Sequence, residues 1–282
     1  DAGSGPTGGH GGVHVTAAGQ LYLGGGPLDI GGSVAVRGSD IFATAGAVDS
    51  VRIDANGTSD QVLSNGAIII GDSGNAPSGA ATIINGLIRN TLSLSTIQIS
   101  AAGNVELGSF GDVLAVDGAI TITADNEAGN HGGQVIMANG AQVSASTATI
   151  TVEADGNVSI GQLSTANTVS VKSISGAITD AGDDHMDIIA VNTSLSALTG
   201  IGDDADALET RTSAAAVTHT IAAETDSGDI HIVNTGSLTV GTVGSLSGIT
   251  ITDNSGIGSD VQDSTLDNIT LSAASPLTVN SA

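Results

Sequence analysis

The chain has no cysteine and no tryptophan, and its aromatic residues are Tyr22, Phe42 and Phe110. Without cysteine there is no disulfide framework and no thiolate metal site. Its absence over 282 residues fits an exported chain that avoids misoxidation. An interior of ordinary width draws heavily on Phe, Tyr and Trp, so their scarcity points to a narrow core of Val, Ile, Leu and Ala. Basic residues are also few: Arg37, Arg52, Arg89, Lys172 and Arg211 stand against 29 acids, for a net charge of −24. Such a polyanion repels nucleic acid, which is excluded as a partner. The same charge keeps an edge-rich β protein soluble. No run of 18 apolar residues is present, so the sequence contains no transmembrane helix. The chain opens on Asp1 with neither an initiating Met nor a signal peptide, and the expectation is a processed chain or a segment of something longer.

What is abundant is glycine, 41 residues, together with short aliphatic alternations; hydrophobic residues make up 40%. That hydrophobicity argues against disorder. One cadence organises the chain: residues 150–161 read ITVEADGNVSIG, and 13–24 (VHVTAAGQLYLG), 97–108 (IQISAAGNVELG) and 230–241 (IHIVNTGSLTVG) repeat it. Two apolar pairs with period two flank a polar stretch holding Gly, which reads as strand, turn, strand with one apolar face. The Gly is expected to supply a positive φ. A single unit cannot bury that face alone, whereas stacked units can.

Along the chain no interior boundary stands out, and residues 1–282 read as one domain. Residues 1–12 are a Gly-rich segment. Polar loop excursions are expected near 54–66, 71–79, 125–134, 180–187 and 202–210. Within 205–216, LETRTSAAA is the one stretch able to form a helical turn or two; helix elsewhere should be close to nil. Pro6, Pro27, Pro77 and Pro276 all fall at strand starts or in loops.

Two all-β architectures use many short strands. A sandwich needs longer strands, hairpins and a wider core. A β-solenoid needs short strands, bends at Gly or Asn and small β-branched core residues, which is the closer fit. The Asp155-Gly156 pair is the strongest argument for the rival, because a two-residue DG turn marks a hairpin. Coils of roughly 20–25 residues would give about a dozen rungs. At about 4.8 Å per rung the rod would be on the order of 55–65 Å long. No amphipathic capping helix is apparent at either end, so head-to-tail pairing of the chain with itself is expected.

Residues 169–241 carry a resemblance. GAITD at 176–180, GIGDDADALET at 200–210 and GDIHIVNTGSLTVG at 228–241 resemble the repeat regions of large secreted bacterial surface proteins, the filamentous-haemagglutinin-like and autotransporter-like β-strand-repeat adhesins. The resemblance implies a right-handed parallel β-helix, export to the cell surface, and a stalk, adhesin or matrix role. The family's secretion domain and membrane barrel have no counterpart in this sequence.

The chemistry-bearing residues are sparse. Six histidines (His10, His14, His131, His185, His219 and His231) share no metal-binding spacing. His14 and His231 sit between the apolar residues of equivalent strands and are expected to point outward. Asp180, Asp183, Asp184 and Asp187 crowd one loop, and Asp203, Asp204 and Asp206 crowd the next. If successive coils stack these turns, up to seven carboxylates converge, and like charges that close require a cation between them. Ca²⁺ takes such oxygen-rich sites, although neither an EF-hand nor the GGxGxD nonapeptide is present; a solvated acidic corner is the plainer reading. No cofactor other than Ca²⁺ is suggested. No GxSxG elbow, phosphate loop or sugar-stacking groove is apparent, and Lys172 is the lone lysine, so no enzyme is expected. The sequence therefore predicts an extracellular structural protein, a filament subunit or the shaft of an adhesin. The alternative is a binding module that uses its loops for a cell-surface or matrix glycan or for Ca²⁺.

Overall fold

The computed structural model describes the strand backbones within residues 13–72. With side chains it describes Ile68, Ile70 and residues 81–84, 86–90, 93–101, 103–125, 132–182, 185–214, 216, 218–252, 269–274 and 277–279. The segment 1–12, the excursion at 73–80, residues 126–131, and Asp183 and Asp184 lie outside the described residues.

The chain is an all-β parallel β-helix, and no helix occurs among the described residues. Successive strands do not fold back on one another. Ile150–Ala154 and Val158–Ile160 belong to different sheets, because Ile150 pairs with Ile120 and Val169 while Val158 pairs with Val135 and Ile178. The Asp155-Gly156 step is thus a corner between two faces and not a hairpin. Three faces result. The first is an 11-stranded sheet running from Val13–Thr16 to Ile269–Ala273. The second is a 12-stranded sheet running from Gln20–Leu23 to Leu277–Val279. The third has seven strands, from Leu28–Gly31 to Ile178–Asp180. Among the described residues beyond Asp180 the third face continues as single bridges, Ile178 to Ile201 and Ile201 to Ile230. Every named strand pairing is parallel except the small hairpin of Thr242–Val243 with Leu246–Ser247.

Period-two alternation and in-register stacking together build the core. Ile97, Ile120, Ile150 and Val169 form one fully buried column on the second face, and Ile99, Ile122, Val152 and Val171 form its neighbour. Val105, Val135, Val158, Ile178, Ile201 and Ile230 form a column on the third. Burying each such side chain is worth roughly 1.5–3 kcal/mol. Small and β-branched residues suit the interior because three faces pack their inward side chains into one shared core. Eleven rungs at about 4.8 Å place the ends on the order of 50 Å apart.

Coil length varies, from 19 residues between Glu153 and Lys172 to 39 between Ile230 and Ile269. The strands keep register and the corners absorb the difference. This also explains the uneven spacing of the repeated cadence. At 13–24 and 230–241 it crosses from the first face to the second, while at 97–108 and 150–161 it crosses from the second to the third. The cadence marks a bend and not a whole coil.

Corner side chains satisfy the backbone one coil further on. Asn104 Oδ1 accepts the Gln134 N–H at 3.0 Å, Asn157 Oδ1 accepts that of Ala177 at 2.9 Å, and Asp112 Oδ1 accepts that of Gln142 at 3.2 Å. Burial holds the Asp112 carboxyl above its ordinary range, partly offset by that Gln142 donor. Gly156 is required for a different reason than the sequence suggested. Its φ is not positive; a Cβ there would lie 2.7 Å from the Gly132 carbonyl of the preceding coil.

Two further expectations are corrected. The LETRT stretch is a strand, Leu208–Thr212, because its Leu208 and Thr210 complete buried columns of the first face. His231 keeps the outward strand phase but is buried. The turn that begins at Gly202 passes over it and brings Asp204 Oδ1 to 3.3 Å from Nδ1, and Asp229 Oδ2 lies 3.3 Å from Nε2.

Candidate functional site

The corner between the third and first faces, near 180–187 and 202–209, holds a group of described carboxylates close enough together to share an ion. Asp180 ends its strand in the buried phase, two residues after Ile178, and pairs in register with Ile160 of the coil below. It therefore occupies a core-facing position where the preceding coil has isoleucine, and it is 8% exposed. Asp187 directly precedes the strand Ile188–Ala190 and is 0% exposed. Glu209 comes from the next coil: Ile188 pairs with Thr210, which brings Glu209 alongside Asp187. One oxygen from each of Asp180, Asp187 and Glu209 can be chosen so that all three lie within 4.8 Å of one another.

Part of this charge is met by the backbone. The Glu209 N–H donates to Asp187 Oδ2 at 2.6 Å, and the Gly182 N–H donates to Asp180 Oδ1 at 2.9 Å. The remaining oxygens, Asp187 Oδ1 and Asp180 Oδ2, are buried and accept no hydrogen bond. No lysine, arginine or histidine among the described residues makes an ion pair with either aspartate. Burial pushes the Asp187 carboxyl up to about 10, with the adjacent Asp180 adding to the shift and the Glu209 N–H opposing it. The two aspartates can share a proton, or three carboxylates can surround a cation. Both remove the repulsion, and only oxygen donors are offered, which is the chemistry of a hard divalent ion.

Asp203, Asp204 and Asp206 do not join this cluster, and Asp183 and Asp184 lie outside the described residues. Asp203 Oδ1 accepts the N–H groups of Ala205 and Asp206 at 2.7 and 2.8 Å and so closes its own turn. Asp204 is exposed beside His231. Asp206 contributes its N–H to the Asp203 turn. Glu209 was not singled out, since only the pairing of one coil on the next places it beside Asp187. Asp180 carried a legible signal: in AITD, period two sets it on the same face as Ile178.

A second polar group sits inside the core. His219 is fully buried, with Nδ1 2.9 Å from Asn234 Oδ1 and Nε2 2.8 Å from Thr193 Oγ1. Asn234 Nδ2 donates to the Gly236 carbonyl at 2.9 Å, which leaves its Oδ1 as the acceptor for the Nδ1–H of His219 and for the Thr210 hydroxyl at 3.1 Å. Nε2 then accepts from Thr193. Burial pulls the imidazole below its ordinary range, so this is a neutral, saturated network spanning three coils.

No protein-family model, curated protein or solved structure matches the chain, so the reading of its function rests on the fold and on these two polar groups.

Proposed function

We propose that the chain is a structural rod of the bacterial cell exterior, the shaft of a surface adhesin or matrix protein or the subunit of a filament, joined end to end through its open coil. The observation that carries this reading is the state of the last coil. Ile269 stacks on Ile230, Leu277 on Leu238 and Val279 on Val240, each extending a buried column. Yet Ile269 is 47%, Leu277 46% and Val279 67% exposed. These columns end in apolar side chains, and among the described residues no strand pairs with the outer edge of Ile269–Ala273 or Leu277–Val279, the kind of surface that a further rung covers. The occupant with matching chemistry is another β-helix end.

Composition supports the exterior location. Cysteine is absent, and the resemblance of residues 169–241 to secreted repeat proteins points the same way. Five Lys and Arg residues leave trypsin-like proteases few sites, and most of the described backbone is committed to ladders. The deeper of the two polar groups is saturated by its own hydrogen bonds, so it offers a substrate no free group.

Sedimentation velocity and negative-stain microscopy over a wide concentration range test the proposal. Rods that lengthen in multiples of one unit are expected, and L277K with V279K should abolish the growth. Rods of one uniform length at every concentration would overturn end-to-end joining.

A further inference from the structure

We propose that Asp180, Asp187 and Glu209 form a Ca²⁺ site that staples two successive coils where the third sheet is interrupted. This goes beyond the rod reading and does not depend on it. An acidic cluster alone is common on a chain of net charge −24 and calls for no ion. This one differs in where its oxygens point. Asp187 is completely buried and Asp180 nearly so, and Asp187 Oδ1 and Asp180 Oδ2 both lack a donor. Buried carboxylate oxygens are ordinarily paired or bound to a metal. Their second oxygens are held by the backbone N–H groups of Glu209 and Gly182, which fixes both side chains before any ion arrives.

The donor set selects the ion class. All three groups are carboxylates, with no His or Cys in the cluster, which favours a hard cation over zinc or copper. An oxygen separation bounded by 4.8 Å fits ligands that each reach about 2.3–2.6 Å to a central Ca²⁺. Water and nearby carbonyl oxygens complete such a shell. Mg²⁺ demands shorter, near-octahedral ligation and gives up its water reluctantly, so it is the weaker competitor.

The position gives the ion a task. Through Ile178–Asp180 the third face is a continuous ladder; beyond it, among the described residues, pairing falls to the single bridges at Ile201 and Ile230. Asp180 and Asp187 belong to the last complete coil, and Glu209 belongs to the first coil after the interruption. A cation bound by all three replaces missing ladder hydrogen bonds with a cross-coil bond.

The test uses the whole chain, stripped with chelator and then titrated with Ca²⁺ at pH 7. Calorimetric titration and thermal melting are the readouts, with Mg²⁺ as the comparison. One saturable Ca²⁺ site and a melting temperature that climbs with Ca²⁺ are expected. E209Q should weaken binding by at least the roughly tenfold that loss of even a supporting contact costs a metal site. D187N should remove the Ca²⁺ response while remaining folded in chelator, because its amide needs no counter-charge, whereas D203N should bind like the parent. If D187N does not fold, D180N carries the same expectation. Melting indifferent to Ca²⁺, with no heat of binding, overturns the site and leaves a shared proton as the device that neutralises the corner.

Discussion

His219 and Asn234 meet inside the aliphatic core, imidazole Nδ1 to amide Oδ1 at 2.9 Å, on consecutive coils and consecutive faces. With Thr193 and Thr210 they are fully hydrogen-bonded, so this polar group costs the core little as long as the ring stays neutral. Replacing it by an apolar residue strands its partners. H219L is expected to lower stability by roughly 1–3 kcal/mol, the penalty for leaving buried polar groups without partners. Denaturant unfolding of parent and variant at pH 7.5 checks this.

The same ring makes the fold acid-sensitive. Its folded pKa lies below the ordinary value near 6.5, so the unfolded chain takes up the proton first. Its contribution is fully present above about pH 6.5 and declines as pH falls toward the folded pKa. A stability profile between pH 7.5 and 5 should fall for the parent and flatten in H219Q. An unchanged slope in the variant would show that the ring does not titrate there.

Asp187 acts in the opposite sense. In chelator its folded pKa is raised from 3.8 to about 10, so the folded state holds a proton that the unfolded state releases. Stability from this group is fully present below about pH 4 and is lost as pH rises toward 10. D187N should therefore match the parent at low pH and exceed it at pH 8 in chelator. Measuring H219Q and D187N separately resolves two slopes that partly cancel in the parent.

Gly228 and Gly236 both hold positive φ, at 80° and 104°. A Cβ at Gly228 would lie 2.0 Å from the Thr199 carbonyl, whereas none of the neighbouring atoms comes within 4 Å of one at Gly236. G236A should cost on the order of 1–3 kcal/mol from backbone strain alone. G228A should cost clearly more, and the excess measures how tightly that turn is stacked on the coil below.

Ile150 sits at 0% exposure between Ile120 and Val169. I150A is expected to cost about 2–5 kcal/mol. Because each coil packs only on its neighbours, amide exchange should accelerate around residues 120–124 and 169–173 and stay near the parent rate beyond them. Uniform acceleration along the chain would mean that the rod unfolds as one cooperative block.

The fold was legible because its signal is local. Period-two alternation in ITVEADGNVSIG marks two strands and a bend, and the lack of aromatic residues limits how wide the interior can be. Which bend it is, and hence how long a coil runs, is decided by strands pairing 19 to 39 residues away. The candidate site divides in the same way. Asp180 reveals itself by sharing a face with Ile178, and His219 by alternating with Val217 and Ile221. Glu209 does not, because an outward carboxylate on a strand looks like ordinary surface until register sets it against Asp187. Asp203, Asp204 and Asp206 look like ligands in the string of letters, but one of them spends its oxygen on the N–H groups of its own turn.

The change from three strand-paired faces to two at Asp180 has a mechanical meaning. Tension along the axis is shared among three ladders on one side of that coil. On the other it is carried by two, with isolated bridges at Ile201 and Ile230. Pulled from its ends, the chain is expected to yield first just past this coil, with the segment up to Asp180 still wound.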